Sequence, residues 1–356
     1  MDVVNGMQLA KKSYENYSHE NLLSVIQSDF LQFSLQYTSE NHGAEFTFDN
    51  GISMCLLADG IVAFNHNNKS PTSKSIVLSC GIHGNETAPI EICNQLVNDL
   101  VNQKIKTDHR VLFIFGNLDS MPSAQRFIEE NLNRLFSKEQ SSSSIEGLRA
   151  AKIMRIVDDF FSAASETADR IHYDLHTAIR PSKNEKFAVY PFLHGKPYSK
   201  QQLAFLSACD VNTILLSQSP TTTFSYYSSL NHNAHAFTVE LGTVMPFGQN
   251  DMSKFTALMA TLTELLTKAG VNVPDFGQCN MDIYNVNQVI NKHHSDFALH
   301  FDDNIANFET FSKGALIASE TGCEYRAQHD GEAIVFPNAN VAIGQRALLT
   351  VIPYAL

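Results

Sequence analysis

Apolar runs of strand length alternate with helical periodicity along most of the chain. The clearest junction is Ser75–Leu100. Ser75 to Ile82 is apolar and rich in β-branched residues, and beyond it Ile90, Cys93, Val97 and Leu100 recur on one helical face. This pattern predicts a buried strand running straight into an amphipathic helix, with Pro89 in the first turn, where its missing N–H costs nothing. Arg110–Gly116 predicts a second buried strand. Ile145–Ala164 predicts a helix with Leu148, Ile153, Ile156, Val157 and Phe160 inward, and Arg170–Thr177 a third strand of alternating pattern. Further strands are expected at Phe187–Phe192, Val211–Leu216 and Ala236–Leu241, and helices near Ser199–Ala208 and Asn250–Lys268, the latter stopped by Gly270. A short helix at Asn21–Phe30 and a meander over residues 45–65 precede this block. From Val271 short alternating runs between Asp, Asn and Gly read as a small all-β domain. The expected class is α/β, a mixed sheet flanked by helices with a smaller C-terminal all-β domain. The expected division is 1–44 as an N-terminal extension of no assigned role, 45–270 as the α/β domain and 271–356 as the β domain.

Composition narrows the function classes. The 356 residues are 44% hydrophobic and 17% charged, enough for a sizeable core. A net charge of −12 argues against nucleic acid as partner but leaves room for a small anion held by local positive charge. No apolar run reaches the ~18 residues of a membrane helix. The start, MDVVNGMQLAKKSYEN, lacks a signal-peptide pattern, and the six scattered cysteines form no C-x-x-C, so a cytoplasmic location is expected. Oligomeric state is not legible.

Candidate chemistry collects at predicted strand exits, where open α/β sheets place ligands. H-x-x-E occurs three times, at His42–Glu45, His83–Glu86 and His329–Glu332. Only the middle pair leaves a buried strand and enters a helix, with Gly84 allowing a tight turn so that both side chains can reach one metal ion. On the third strand His172, Asp174 and His176 share a face, as expected of a metal-binding histidine with an orienting carboxylate beside it. Glu240 is a lone carboxylate in the apolar run AFTVEL, either salt-bridged in the core or a site residue near a cation. Arg126 and the Asn131–Arg134 string follow the second strand. They suit carboxylate binding through the guanidinium fork, or else lie on a solvated surface. Thr221–Leu230 reads as a polar-aromatic pocket wall.

Taken together, SCGIHGNETAPIE, ENLNRLF, YDLHTAIR and TVELGTVMPFGQND resemble the succinylglutamate desuccinylase family, which belongs with aspartoacylase and, more distantly, with the zinc carboxypeptidases. The resemblance covers roughly Val77–Lys268 well and the C-terminal β region in outline. It implies a zinc-carboxypeptidase-like sheet and one zinc ion per chain, held by His83, Glu86 and His176, beside the Asp174 that the strand pattern places next to His176. It further implies Glu240 as catalytic carboxylate, Arg126 as the arginine that polarises the scissile carbonyl, and Asn133-Arg134 as the substrate-carboxylate pair. Arg180, in HTAIR, is carried over as a substrate contact. The family often has Asp where this chain has Asn131, which loosens the expected positioning of Arg134. The implied activity is cleavage of N-succinyl-L-glutamate to succinate and L-glutamate in arginine breakdown. An N-acylaspartate deacylase or carboxypeptidase using the same residues and a non-catalytic zinc-binding protein are the competing readings.

Overall fold

The computed structural model describes residues 11–39, 42–66, 73–139 and 141–356. The first ten residues, part of the stretch read above for a targeting pattern, lie outside it. Among the described residues no helix is long and apolar enough to cross a membrane.

Thirteen strands form one mixed sheet. At its centre Arg110–Phe115, Ser75–Cys80, Arg170–Ala178 and His235–Thr243 lie side by side and parallel, in that spatial order. All six residues of Ser75–Cys80 are buried, which is why the run reads as continuously apolar: in a parallel sheet both faces are covered. Ile76, Leu78 and Cys80 point to one layer, with helices Thr87–Val101, Lys200–Ala208 and Thr256–Thr267. Val77 points to the other, with helices Ile145–Ser162 and Phe224–His232. On one flank Ile61–His66, Ile52–Ala58 and Glu45–Thr47 continue the sheet antiparallel.

The other flank carries the C-terminal β region. Phe187–Tyr190 pairs antiparallel with His235–Thr243, then Thr213–Leu216 pairs parallel with Asp282–Asn291, which in turn takes Arg346–Pro353 antiparallel. The C-terminal strands therefore extend the main sheet directly. A backbone bridge from Ser182 to Asn307 ties the loop after Arg170–Ala178 to the same region.

One local expectation changes. Leu148 is 65% exposed, because Ala150, Ile153, Val157 and Phe160 set the buried face of its helix and Leu148 falls opposite them. Thr221–Leu230 is mostly helix, from Phe224. The N-terminal stretch has a structural place. Helices His19–Ser28 and Phe30–Gln36 bury Ile26, Phe30 and Phe33 in the main core. Asn98 and Asn94 on helix Thr87–Val101 accept the N–H groups of Phe30 and Leu31, caps that tie this layer to the helix leaving the His83 turn.

Candidate metal and hydrolase site

The parallel strands end at one edge of the sheet, and the polar side chains collect there. The chain leaves Ser75–Cys80 through Gly81, at φ +60, and reaches His83. Gly84 is required by a close approach and not by backbone hand: a Cβ there would lie 2.2 Å from the Ser120 hydroxyl oxygen and 2.7 Å from the Met121 nitrogen. Glu86 is the N-cap of helix Thr87–Val101, but its carboxylate makes no cap bond, and Pro89 sits in the first turn as expected. Opposite, Glu240 is in register with His176 on the neighbouring parallel strand. The pairing then slips between Glu240 and Thr243, where Gly242 adopts φ +115.

His83, Glu86 and His176 are buried and offer ligand atoms that all lie within 4.8 Å of one another. Glu86 stands between the two imidazoles: His83 Nδ1 is 2.8 Å from its Oε1 and His176 Nδ1 is 2.9 Å from its Oε2. The first contact is short yet lacks hydrogen-bond geometry, and His83 Nδ1 has no hydrogen-bond partner among the described residues. A buried nitrogen without a partner, aimed at a carboxylate and a second imidazole, is what a metal-binding donor set presents without its ion. Burial and the Arg126 guanidinium push His83 down to about 4, leaving it neutral. Burial alone would raise Glu86, but His83, His176 and Arg126 outweigh it and hold the carboxyl well below its usual range. Neutral imidazole and ionised carboxylate are the forms that bind a divalent cation. Against its burial, His176 is raised well above its usual range by Asp174 and Glu86, so a cation bound there takes the place of its proton.

The far nitrogens of the two histidines are fixed differently. His176 Nε2 is 2.8 Å from Asp174 Oδ2, whereas His83 Nε2 is 2.9 Å from the neutral amide oxygen of Asn131. Asn131 thus bears on His83 as well as on the Arg134 turn, where its Oδ1 also accepts the Asn133 N–H. Asp174 is itself held by the Ser79 hydroxyl at 2.5 Å, and Ser79 lies 2.8 Å from His172 Nε2. Since the Ser79 proton goes to Asp174, His172 donates from Nε2. Burial pushes it down to about 4, so it stays neutral and accepts the Ser228 hydroxyl at Nδ1, 2.8 Å away. The alternation of the strand places His172 on this face; its role in the buried chain behind Asp174 needed the fold.

Glu240 is buried, and its Oε2 has no hydrogen-bond partner among the described residues. Burial raises its pKa to about 7, with Glu86 and Asp174 adding to the rise and His176 and Arg126 opposing it. Arg126 donates to Glu86 Oε1 at 2.7 Å. Arg134 donates to the Asn133 carbonyl, and burial with the Arg126 charge lowers it to about 10. The Asn133 amide oxygen is committed to the Phe224 N–H at 3.0 Å, at the start of helix Phe224–His232. Arg180 does not join this group. It donates to the Asp303 carbonyl. His42 and His329 also lie elsewhere: His42 contacts Tyr14, and the His329 N–H donates to Glu332.

Glu146 escaped the sequence reading. It is fully buried in the first turn of helix Ile145–Ser162, and it accepts the N–H groups of Ile128, Glu129 and Glu130 and the Asn117 amide. Those bonds fix the loop between Arg126 and Asn131. Arg346 also went unread; it comes from the C-terminal strand and lies in the field of Arg134, Glu240 and Arg126. No local sequence signal marks it.

Residues 72–266 match the family described as the succinylglutamate desuccinylase/aspartoacylase catalytic domain, and residues 279–354 its AstE/AspA barrel-sandwich hybrid domain. The chain is 57% identical over 316 residues to the succinylglutamate desuccinylase of Pseudoalteromonas atlantica, covering 87% of this chain and 90% of that one. It is 48% identical over 335 residues to that of Idiomarina loihiensis, covering 93% and 97%. Among solved structures, the succinylglutamate desuccinylase of Vibrio parahaemolyticus superimposes with a TM-score of 0.83 at 36% identity, covering 91% of this chain and 95% of that one.

Proposed function

The chain belongs to the succinylglutamate desuccinylase/aspartoacylase family, and from that premise we propose that it hydrolyses N-succinyl-L-glutamate to succinate and L-glutamate. The observation that carries the reading is the meeting of a buried His–Glu–His donor set with a buried carboxylate of raised pKa and an arginine, Arg134, that has no carboxylate partner among the described residues. The proposed ion is zinc, one per chain, at His83, Glu86 and His176, a two-histidine, one-carboxylate set that leaves a position open. When bound it supplies Lewis-acid polarisation of the scissile carbonyl and a lowered pKa for water.

The protein's own residues do the rest. Asp174 and Asn131 hold the Nε2 atoms of His176 and His83, so that both Nδ1 atoms face the Glu86 carboxylate. Glu240 takes a proton from the attacking water and delivers it to the leaving amine, a role typically worth ~10²–10⁴-fold. Its burial favours this, since a carboxylate near pKa 7 both accepts and returns a proton at neutral pH. Arg126 places positive charge where the carbonyl oxygen turns negative. Arg134 grips a substrate carboxylate with its fork and so fixes the angle of attack. The products suit a step in arginine breakdown, and the reaction is assigned to the cytoplasm.

The test is turnover of the zinc-loaded protein on N-succinylglutamate, N-acetylaspartate and a C-terminal peptide amide side by side. Preferred release of succinate and glutamate is expected. Faster turnover of either alternative, or none of the three, overturns the reading.

A further inference from the structure

The site contains more positive charge than the steps above use. Arg346 opens the strand Arg346–Pro353, and its guanidinium carbon stands 5.4 Å over the Phe336 ring. Phe336, at φ +56, lies 5.5 Å ring to ring from Phe187, and Phe187 is directly opposite Glu240 in the antiparallel pair. That path carries Arg346 from the C-terminal region to the catalytic carboxylate. Burial, followed by the charges of Arg134 and Arg126, lowers its pKa to about 9, while Glu240 opposes the shift. Among the described residues its guanidinium has no hydrogen-bond acceptor and no ion-pair partner; its contact is the aromatic face. Arg134 has only the Asn133 carbonyl, and Arg126 shares Glu86 with the metal-binding group.

Three guanidiniums whose charges act on one another beside Glu240 are costly in a folded protein unless a ligand brings the missing negative charge. Arg134 is assigned to one carboxylate of the substrate. Arg346 has the same chemistry, the same lack of a partner, and comes from a different part of the chain. We propose that Arg346 is a specificity residue that binds a further carboxylate of the substrate, so that the C-terminal β region completes a pocket for tricarboxylate N-acyl amino acids. The inference rests on the proposed activity and deepens it. The carboxylate in question is borne by either the succinyl end or the glutamate side chain, and two analogues separate these sources.

The experiment compares wild type, Arg346→Gln and Arg346→Lys on N-succinylglutamate, N-butyrylglutamate and N-succinylglutamine. The second substrate lacks the succinyl carboxylate and the third has an amide in place of the side-chain carboxylate. For Arg346→Gln, kcat/KM on N-succinylglutamate is expected to fall roughly 10- to 100-fold, the loss of a hydrogen bond to a charged group, and mainly through KM. On the one analogue without the cognate carboxylate, the variant should match wild type. Arg346→Lys keeps the charge without the fork and should fall between. Because the Arg346 guanidinium makes no hydrogen bond among the described residues and rests only on the Phe336 ring, Arg346→Gln should keep its bound metal and melt within a few degrees of wild type. Unchanged kinetics, equal losses on all three substrates, or a loss of kcat with a lowered melting temperature would each overturn the inference and leave the activity standing. If wild type cleaves none of the three, the proposed function fails first and the inference with it.

Discussion

Replacing Glu146 by glutamine removes one charge and turns one acceptor oxygen into a donor, with no change in size. Glu146 Oε1 accepts the Ile128 N–H at 2.7 Å and the Asn117 amide at 3.0 Å, and Oε2 accepts the Glu129 and Glu130 N–H groups, both at 3.1 Å. The least costly arrangement puts the new NH₂ on the Oε1 side, where Asn117 can turn its amide oxygen toward it. The Ile128 N–H then loses a charged acceptor, at about 1.5–3 kcal/mol. The two remaining bonds lose their charge assistance, about 1 kcal/mol each. The sum is roughly 3–5 kcal/mol, or a melting temperature lower by roughly 4–7 °C in a protein of this size.

Activity should fall as well, because the loop that loosens runs from Arg126, whose carbonyl accepts the Gly84 N–H, to Asn131, which holds His83. Misplacement on the order of 1 Å is worth ~10²-fold in kcat/KM. A pH series adds a second readout. Burial opposes the charge on Glu146, but its four donors outweigh burial and keep the carboxyl below its usual range. A depressed pKa contributes stability that is complete above the ordinary glutamate value of ~4.5 and disappears as pH falls through the depressed one. The gap in stability between wild type and Glu146→Gln should therefore narrow below about pH 4.5. A variant that melts with wild type, and whose Ile128–Glu130 amides exchange no faster, would refute this reasoning. Lower stability with full activity would confine Glu146 to its helix.

Three further outcomes are expected. Glu240→Gln should keep metal and substrate affinity while kcat falls by ~10²-fold or more; a lowered melting temperature with kcat intact would make Glu240 a core residue instead. Chelation should abolish activity and zinc restore it, with His83→Ala losing the metal and His42→Ala and His329→Ala retaining it; an active, metal-free preparation would end the zinc assignment. Asn131→Asp should give His83 a charged partner like the one His176 has in Asp174 and tighten metal binding by ~10-fold, read by chelator competition; unchanged affinity would mean the His83 Nε2 bond sets geometry alone.

What the sequence discloses here is whatever two local periods and one turn can encode. The strand–turn–helix junction at His83, the shared face of His172, Asp174 and His176, and the isolated Glu240 all follow from residues within a few positions of one another. The wrong face for Leu148 came from the same source. A helix begins with several apolar positions, and only tertiary contact decides which stripe is covered. Glu146 shows the deeper reason the rest stayed hidden. An acidic residue in a first helical turn is favoured whether it faces water or a buried loop, since the helix dipole supports both. The residue type therefore says nothing of its partners, which lie before the helix in a loop placed by a different strand exit. Arg346 is hidden for the same reason at longer range. Its neighbours Arg134, Glu240 and Phe336 are brought together only when Asp282–Asn291 pairs with Thr213–Leu216 and Arg346–Pro353 then adds to that edge. The order of strands in a sheet is a global property that no local pattern near Arg346 can carry. Polar side chains gathered at strand exits are thus readable from sequence, while the partners that distant segments bring to them follow from topology.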